Sequence, residues 1–174
     1  MELLDDGGLG ALTIRGVAQR LRVAPASLYS RVGSVEDLYD VALDGALGQD
    51  AALLRAVEGA SVMELMLEFH RHLVEKPWAC QVIAMRAPRG PNYLRLSERM
   101  CELLVQRGDS DPLGSAYVLS NFVIGSAATH PMAGSERAAP VDAGLAPLYA
   151  KLHMEHSVVP ETIVRQGLLA LLAA

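Results

Sequence analysis

Four arginines lie close together near the start of an otherwise acidic chain. The 174 residues carry a formal net charge of -5. The segment from residue 13 to residue 35 nevertheless contains no Asp or Glu and four arginines: Arg15, Arg20, Arg22 and Arg31. Guanidinium groups bind phosphates and guanine edges, so this +4 segment indicates contact with nucleic acid. A solvated basic surface without a partner is the alternative.

The local pattern around these arginines predicts two helices separated by three residues. Thr13 is a good N-cap, and apolar residues then recur along one helical face at Ile14, Val17, Ala18 and Leu21. Pro25 opens a short second helix, and Ser34 caps a third, longer one. This is the spacing of a helix-turn-helix motif, whose second helix enters the major groove. An ordinary helical corner has the same periodicity.

The second helix carries side chains suited to DNA. Ala26 and Ser27 are small enough for close approach to base edges, Tyr29 and Ser30 have hydroxyls, and Arg31 can pair with guanine. This composition favours an exposed DNA-reading helix over a buried one.

The run from Leu12 to Leu21, with Val23, Ser27-Leu28-Tyr29 and Leu38, resembles the DNA-binding domain of the tetracycline-repressor (TetR) family. The resemblance implies an all-α fold with an N-terminal helix-turn-helix domain and a C-terminal helical ligand-binding and dimerisation domain. We place these domains at residues 1–47, including the linking helix, and 48–174. The DNA-contacting residues that we expect are Thr13, Arg15, Pro25, Ala26, Ser27, Tyr29, Ser30 and Arg31.

Three features differ from the family pattern. Arg22 occupies a turn position that is usually glycine, and Val35 occupies a position where a phosphate-binding lysine is common. The first helix is short and lacks a basic lead-in. We expect either that the true start lies upstream of Met1, which we favour, or that this form binds DNA weakly.

The remaining sequence predicts further helices and no convincing strand. We expect a long mobile loop from Pro131 to Pro147 and a last helix that begins at Pro160. That last helix has a broad apolar face, and the helix from about Ser115 to Thr129 is rich in small residues. The family resemblance favours a homodimer built from this pair of helices, whereas the pattern alone fits burial within one chain equally well.

Large apolar side chains of the central helices are candidates for a small-molecule pocket, because such pockets are mostly apolar with a few polar groups. Plain hydrophobic core is the alternative for each of them. Asn121 is a possible polar anchor, and His130 is another. The ligand-binding residues that we expect are Met63, Met66, Phe69, Trp78, Met85, Tyr93, Met100, Asn121 and Phe122.

Several other protein classes are disfavoured. Cys80 and Cys101 stand alone, every apolar run is broken before the roughly 20 residues of a membrane span, and the start lacks a signal peptide, so we expect a cytoplasmic protein. The sequence contains no nucleophile elbow, P-loop or zinc-protease motif. We therefore expect no enzyme activity, no cofactor and no metal, although His153 and His156 have a spacing that could share an ion.

These observations predict a ligand-responsive transcriptional regulator. We expect a repressor that binds a palindromic double-stranded operator as a homodimer, and that a small-molecule effector releases. A ligand-binding helical dimer with a degenerate helix-turn-helix is the main alternative, and a helical enzyme is a weaker one.

Overall fold

The computed structural model describes residues 1–156 and 159–173, apart from the side chains of residues 134 and 137. These residues contain helices and turns but no strand, which confirms the predicted all-α fold. None of the described helices is long and apolar enough to cross a membrane. In chain order the helices are α1 (Glu2–Gly7), α2 (Ile14–Leu21), α3 (Pro25–Tyr29), α4 (Val35–Gln49), α5 (Ala51–Gly59), α6 (Val62–Glu75), α7 (Pro77–Met85), α8 (Pro91–Gln106), α9 (Pro112–Thr129), α10 (Met132–Ala138), α11 (Pro147–Glu155) and α12 (Pro160–Ala173).

Side-chain caps determine where the early helices begin. The hydroxyl of Thr13 accepts a hydrogen bond from the Gly16 amide at 3.0 Å, as expected for the N-cap of α2. Ser34 and Asp37 form a capping box at the start of α4, since each side chain binds the backbone amide of the other. The starts of α2 and α4 predicted from sequence are therefore confirmed.

Helix α6 forms the centre of the larger helical body. It packs against α5, α7, α8, α9 and α12. A helix enclosed on most sides cannot keep a polar face in water, and α6 accordingly buries more than half of its side chains. The buried residues are Val62, Leu65, Met66, Leu67, Phe69, His70, His72 and Leu73.

Helices α9 and α12 pack against each other at the edge of this body. Their inner residues, such as Val123 and Leu168, are completely buried. The crossing is close because Gly167 of α12 faces the ring of Phe122 of α9, and a Cβ at residue 167 would lie only 2.8 Å from ring carbon Cε1. The outer faces of both helices are apolar and exposed, with Leu113, Tyr117, Val118 and Leu169 each at least half exposed.

The predicted loop from Pro131 to Pro147 is partly wrong. Helix α10 occupies residues 132–138, because Pro131 and Pro147 lie at the starts of helices, where proline is well tolerated, and residues 139–146 contain no helix. Leu21, which its spacing places on the apolar face of α2, is 60% exposed at the last residue of that helix.

We predict that Gly167→Ala destabilises the protein, because the added methyl group overlaps a rigid aromatic ring rather than a flexible chain end. Overpacking of this kind costs about 1–3 kcal/mol, which should lower the thermal midpoint by several degrees. Gly59→Ala is the matched control, since a Cβ there meets nothing within 4 Å. Equal thermal midpoints for the two variants would contradict the close crossing of α9 and α12.

Candidate functional site

The turn between α2 and α3 has the geometry of a glycine-type helix end, although it contains an arginine. Arg22 adopts a left-handed conformation with φ 54° and ψ 41°. The Val23 amide donates to the Ala18 carbonyl at 3.0 Å, and the Arg22 amide donates to the Gln19 carbonyl at 3.2 Å, which is the bond pair of a Schellman motif. The chain therefore makes a sharp helix-turn-helix bend at the cost of some backbone strain at Arg22.

Helices α2 and α3 present their polar side chains to solvent. Leu28 and Val32 turn inward and are half-buried, whereas Tyr29 is 60% exposed. The Ser30 hydroxyl donates to the Ser27 carbonyl at 3.0 Å. All the residues predicted to contact DNA are exposed, and they lie on α2, on α3 or directly beside them: Thr13, Arg15, Pro25, Ala26, Ser27, Tyr29, Ser30 and Arg31.

Most of the basic charge on this surface is unpaired. Arg20 forms an ion pair with Glu2 of α1. Among the described residues, Arg15, Arg22 and Arg31 have no carboxylate within salt-bridge distance. The surface of α2 and α3 can thus offer three free guanidinium groups to a polyanion.

Nearby acidic residues instead hold α1 and α4 against the helical body. One carboxylate oxygen of Asp5 accepts from Lys76 Nζ and the other from the Trp78 indole N–H, both at 2.8 Å. Burial alone would raise the pKa of Asp5, but these two hydrogen bonds lower it below its usual value. On α4, Asp40 pairs with Arg86 at 3.1 Å.

The residues predicted to bind a ligand fall into three groups by exposure. The first group is buried in the hydrophobic core: Met66, Phe69, Trp78 and Met100. The second group is half-buried against that core: Met63, Tyr93 and Phe122. Met85 and Asn121 are exposed, so the structure does not bring them together with the other seven.

Cavities lined by described residues lie elsewhere in the molecule. One, of about 510 Å³, is lined by the turn between α8 and α9 and by the end of α12. A second, of about 420 Å³, lies between α5 and α8 and is lined mainly by charged residues. A third, of about 170 Å³, is lined by His130, Thr129 and Ile163 among others. His130, the possible polar anchor, thus lines a small cavity beside the start of α12.

A buried polar pair, which the sequence did not predict, joins the end of α4 to α6. The carboxylate of Asp50 lies 2.8 Å from Nδ1 of His72, whose side chain is 3% exposed. Burial alone would raise the pKa of Asp50, but hydrogen bonds from the Leu53 amide and the His72 ring lower it. The available signal was helical spacing, because His72 lies on the same face of α6 as Leu65 and Phe69.

The other buried histidine of α6 faces a histidine of α9. The ring centroids of His70 and His130 are 6.2 Å apart in an edge-on arrangement. Burial, together with the neighbouring His130, lowers the pKa of His70, so the neutral form is favoured. His153, in contrast, lies at the surface and its Nε2 is 3.1 Å from the Glu136 carbonyl.

Comparisons with known proteins agree with this architecture. Residues 59–157 match the family model described as the tetracyclin repressor-like C-terminal domain. An HTH-type transcriptional regulator of Saccharopolyspora erythraea is 36% identical over 132 residues, which cover 72% of this chain and 55% of that relative. The chain spans about half the length of the curated relatives it matches.

Solved structures show the same fold. A possible TetR family regulator of Streptomyces coelicolor superposes with a TM-score of 0.79 at 23% identity, covering 99% of this chain and 92% of the other. The TetR family protein ActR of the same organism, in complex with (S)-DNPA, superposes with a TM-score of 0.72 at 25% identity, covering 99% and 90%.

We predict that Arg22→Gly stabilises the protein by about 1 kcal/mol, because glycine adopts the left-handed conformation without steric cost. Gln19→Gly, at an exposed position within α2, should destabilise it by about the same amount because glycine weakens a helix interior. Urea denaturation followed by circular dichroism measures both changes. Shifts of the same sign in the two variants would rule out strain at Arg22.

Proposed function

Because this chain belongs to the TetR family of transcriptional regulators, we propose that it is a ligand-responsive repressor. It acts in the cytoplasm, where two copies bind one operator duplex through α2 and α3. The observation that carries the proposal is the exposed, basic α2–turn–α3 unit. It lies between α1 and α4, whose carboxylates Asp5 and Asp40 bind the helical body. Residues 1–47 serve as the DNA-binding domain and residues 48–174 as the regulatory body.

Helix α3 is the element that enters the major groove. Its exposed residues are small or carry hydroxyls, which permits close approach to base edges, and Arg31 follows at its end. Arg15 on α2 and the hydroxyl of Tyr29 contact phosphates on either side. Phosphate contacts position the helix, while the short side chains and Arg31 read the sequence.

The partner on the outer face of α9 and α12 is a second copy of the chain. Two adjacent helices with exposed apolar side chains form the type of patch that a stable interface covers. A two-fold axis through this patch would join four helices and place the two copies of α3 on successive major grooves, about 34 Å apart.

The effector is an apolar small molecule that enters among α6, α7 and α8. Phe69, Met66 and Met100 supply adaptable apolar surface there, and Tyr93 adds a hydroxyl. The related ActR structure with bound (S)-DNPA supports a small-molecule ligand for this type of body. An effector weakens DNA binding only if it favours a conformation in which the two α3 helices are wrongly spaced.

Two residues of the helix-turn-helix unit favour a second function, that of a ligand-binding dimer that binds DNA weakly. The strained Arg22 and the apolar Val35 both occupy positions where other residues would serve a DNA-binding domain better. A helical ligand-binding dimer with little affinity for DNA accounts for both. The experiment that follows distinguishes this function from repression.

We predict that the wild-type protein enriches a palindromic sequence from a pool of random 40-base-pair duplexes. In mobility-shift titrations on that duplex, Arg15→Ala and Tyr29→Phe should each weaken binding about tenfold, and Arg15→Ala should lower the salt slope by about 1. Arg55→Ala, an exposed arginine on α5, is the control and should change nothing. If the wild type enriches no sequence, the protein acts as the ligand-binding dimer instead.

We predict that Val118→Glu converts the dimer to a monomer, because it buries an unpaired charge in the proposed interface. The selected duplex should then bind at least tenfold more weakly, since one recognition helix alone contacts half of the operator. Val105→Glu, at a valine on α8 that is 62% exposed against 50% for Val118, should leave the dimer intact. Analytical ultracentrifugation measures both states, and a dimeric Val118→Glu variant would place the interface elsewhere.

A further inference from the structure

The side chain of Asp44 on α4 is bound to the first turn of α8. Its Oδ1 accepts hydrogen bonds from the backbone amides of Asn92 at 2.8 Å and Tyr93 at 3.1 Å. The Asn92 side-chain amide donates to Asp44 Oδ2 at 2.9 Å and to the Asp44 carbonyl at 3.0 Å. A carboxylate from one helix thus serves as the N-terminal cap of another helix, 48 residues further along the chain.

Two glycines bring the helices close enough for these bonds. A Cβ at Gly90 would lie 2.6 Å from the Cβ of Asp44, and a Cβ at Gly48 would lie 2.6 Å from Nδ2 of Asn92. Either methyl group would displace an atom that takes part in the hydrogen bonds. We call the four residues Asp44, Gly48, Gly90 and Asn92 the α4–α8 clamp.

The clamp connects the DNA-binding helices to the interior of the body. At its end nearer the start of the chain, α4 follows α3 after five residues, and its Tyr39 hydroxyl donates to the carbonyl of Leu9, which precedes α2, at 3.1 Å. At the other end, the amide of Tyr93 is held by Asp44 while its side chain is half-buried against the core. A displacement of the first turn of α8 must therefore move α4 or break the clamp.

We propose that Asp44 is a positioning residue: through the α4–α8 clamp it fixes the orientation of α4, and with it α2 and α3, relative to the regulatory body. This inference rests on the proposed function, because orientation matters only if two recognition helices must fit one duplex. The ionised carboxylate suits the role, since charge-assisted bonds to helix-terminal amides are short, directional and favoured by the helix dipole. The glycine contacts leave no room for gradual sliding, so the clamp is either closed or open.

The experiment compares four single variants in the full chain: Asp44→Ala, Asp44→Asn, Gly48→Ala and Gly45→Ala. Gly45 lies on the same helix as Gly48, but a Cβ there meets nothing within 4 Å, so Gly45→Ala is the matched control. Hydrogen exchange by mass spectrometry reports on residues 91–96 and 14–29 without DNA. Mobility shift on the duplex selected by the wild type reports on operator affinity.

In Asp44→Ala and Gly48→Ala, exchange in residues 91–96 should be about five to ten times faster than in the wild type, as expected for loss of an N-cap. Their operator affinity should fall at least about fivefold, within the range of typical coupling between sites. Asp44→Asn keeps an acceptor oxygen without the charge, so its increase in exchange and its loss of operator affinity should both be smaller than those of Asp44→Ala. Gly45→Ala should match the wild type, and circular dichroism should show equal helix content in all four variants.

Each possible outcome decides the proposal. Faster exchange with unchanged operator affinity overturns it, since the clamp would then be a structural contact without a positioning role. Equal exchange in Gly45→Ala and Gly48→Ala also overturns it. If the wild type selects no duplex, the proposed function fails independently. The clamp is then judged by exchange in residues 14–29, which must be faster in Gly48→Ala than in Gly45→Ala.

Discussion

The arrangement of this molecule depends on polar bonds from the helical body to carboxylates near the helix-turn-helix unit. Asp5 binds Lys76 and Trp78, Asp40 binds Arg86, and Asp44 caps α8. The first three helices are too short to enclose a large core of their own, so these directional bonds to the body determine where they point.

These carboxylates explain how an acidic chain can carry the basic surface proposed to bind DNA. The carboxylates of Asp5 and Asp40 form ion pairs with cations of the body, so their charge is balanced away from α2 and α3. Three arginines of the motif remain unpaired among the described residues. A net charge of -5 therefore describes the whole chain but not the surface that would face a phosphate backbone.

Local patterns predicted much of the fold, whereas contacts between distant residues could not be predicted. Thr13 and Ser34 cap their helices as expected, because an N-cap depends on residues within three positions. Arg22 occupies a position where the family pattern has glycine, and it does adopt the left-handed conformation. The pairs of Asp44 with Asn92 and of Asp50 with His72 could not be predicted, because spacing along one helix can indicate that a residue is buried but not which distant residue it contacts. The loop predicted after Pro131 is partly wrong for a different reason, because proline also occurs at the starts of helices.

The densely packed interior has a thermodynamic consequence for sensing. Met66, Phe69 and Met100 are at most 6% exposed, so an effector that binds among them must find the body in a conformation where these side chains have separated. If that open conformation makes up only a small fraction of the population, the apparent association constant is the intrinsic association constant multiplied by that fraction. Under the proposed function, the same side chains would set both core stability and sensitivity to the effector. Substitutions that tighten the packing would raise the effector concentration needed for a response, and substitutions that loosen it would lower that concentration.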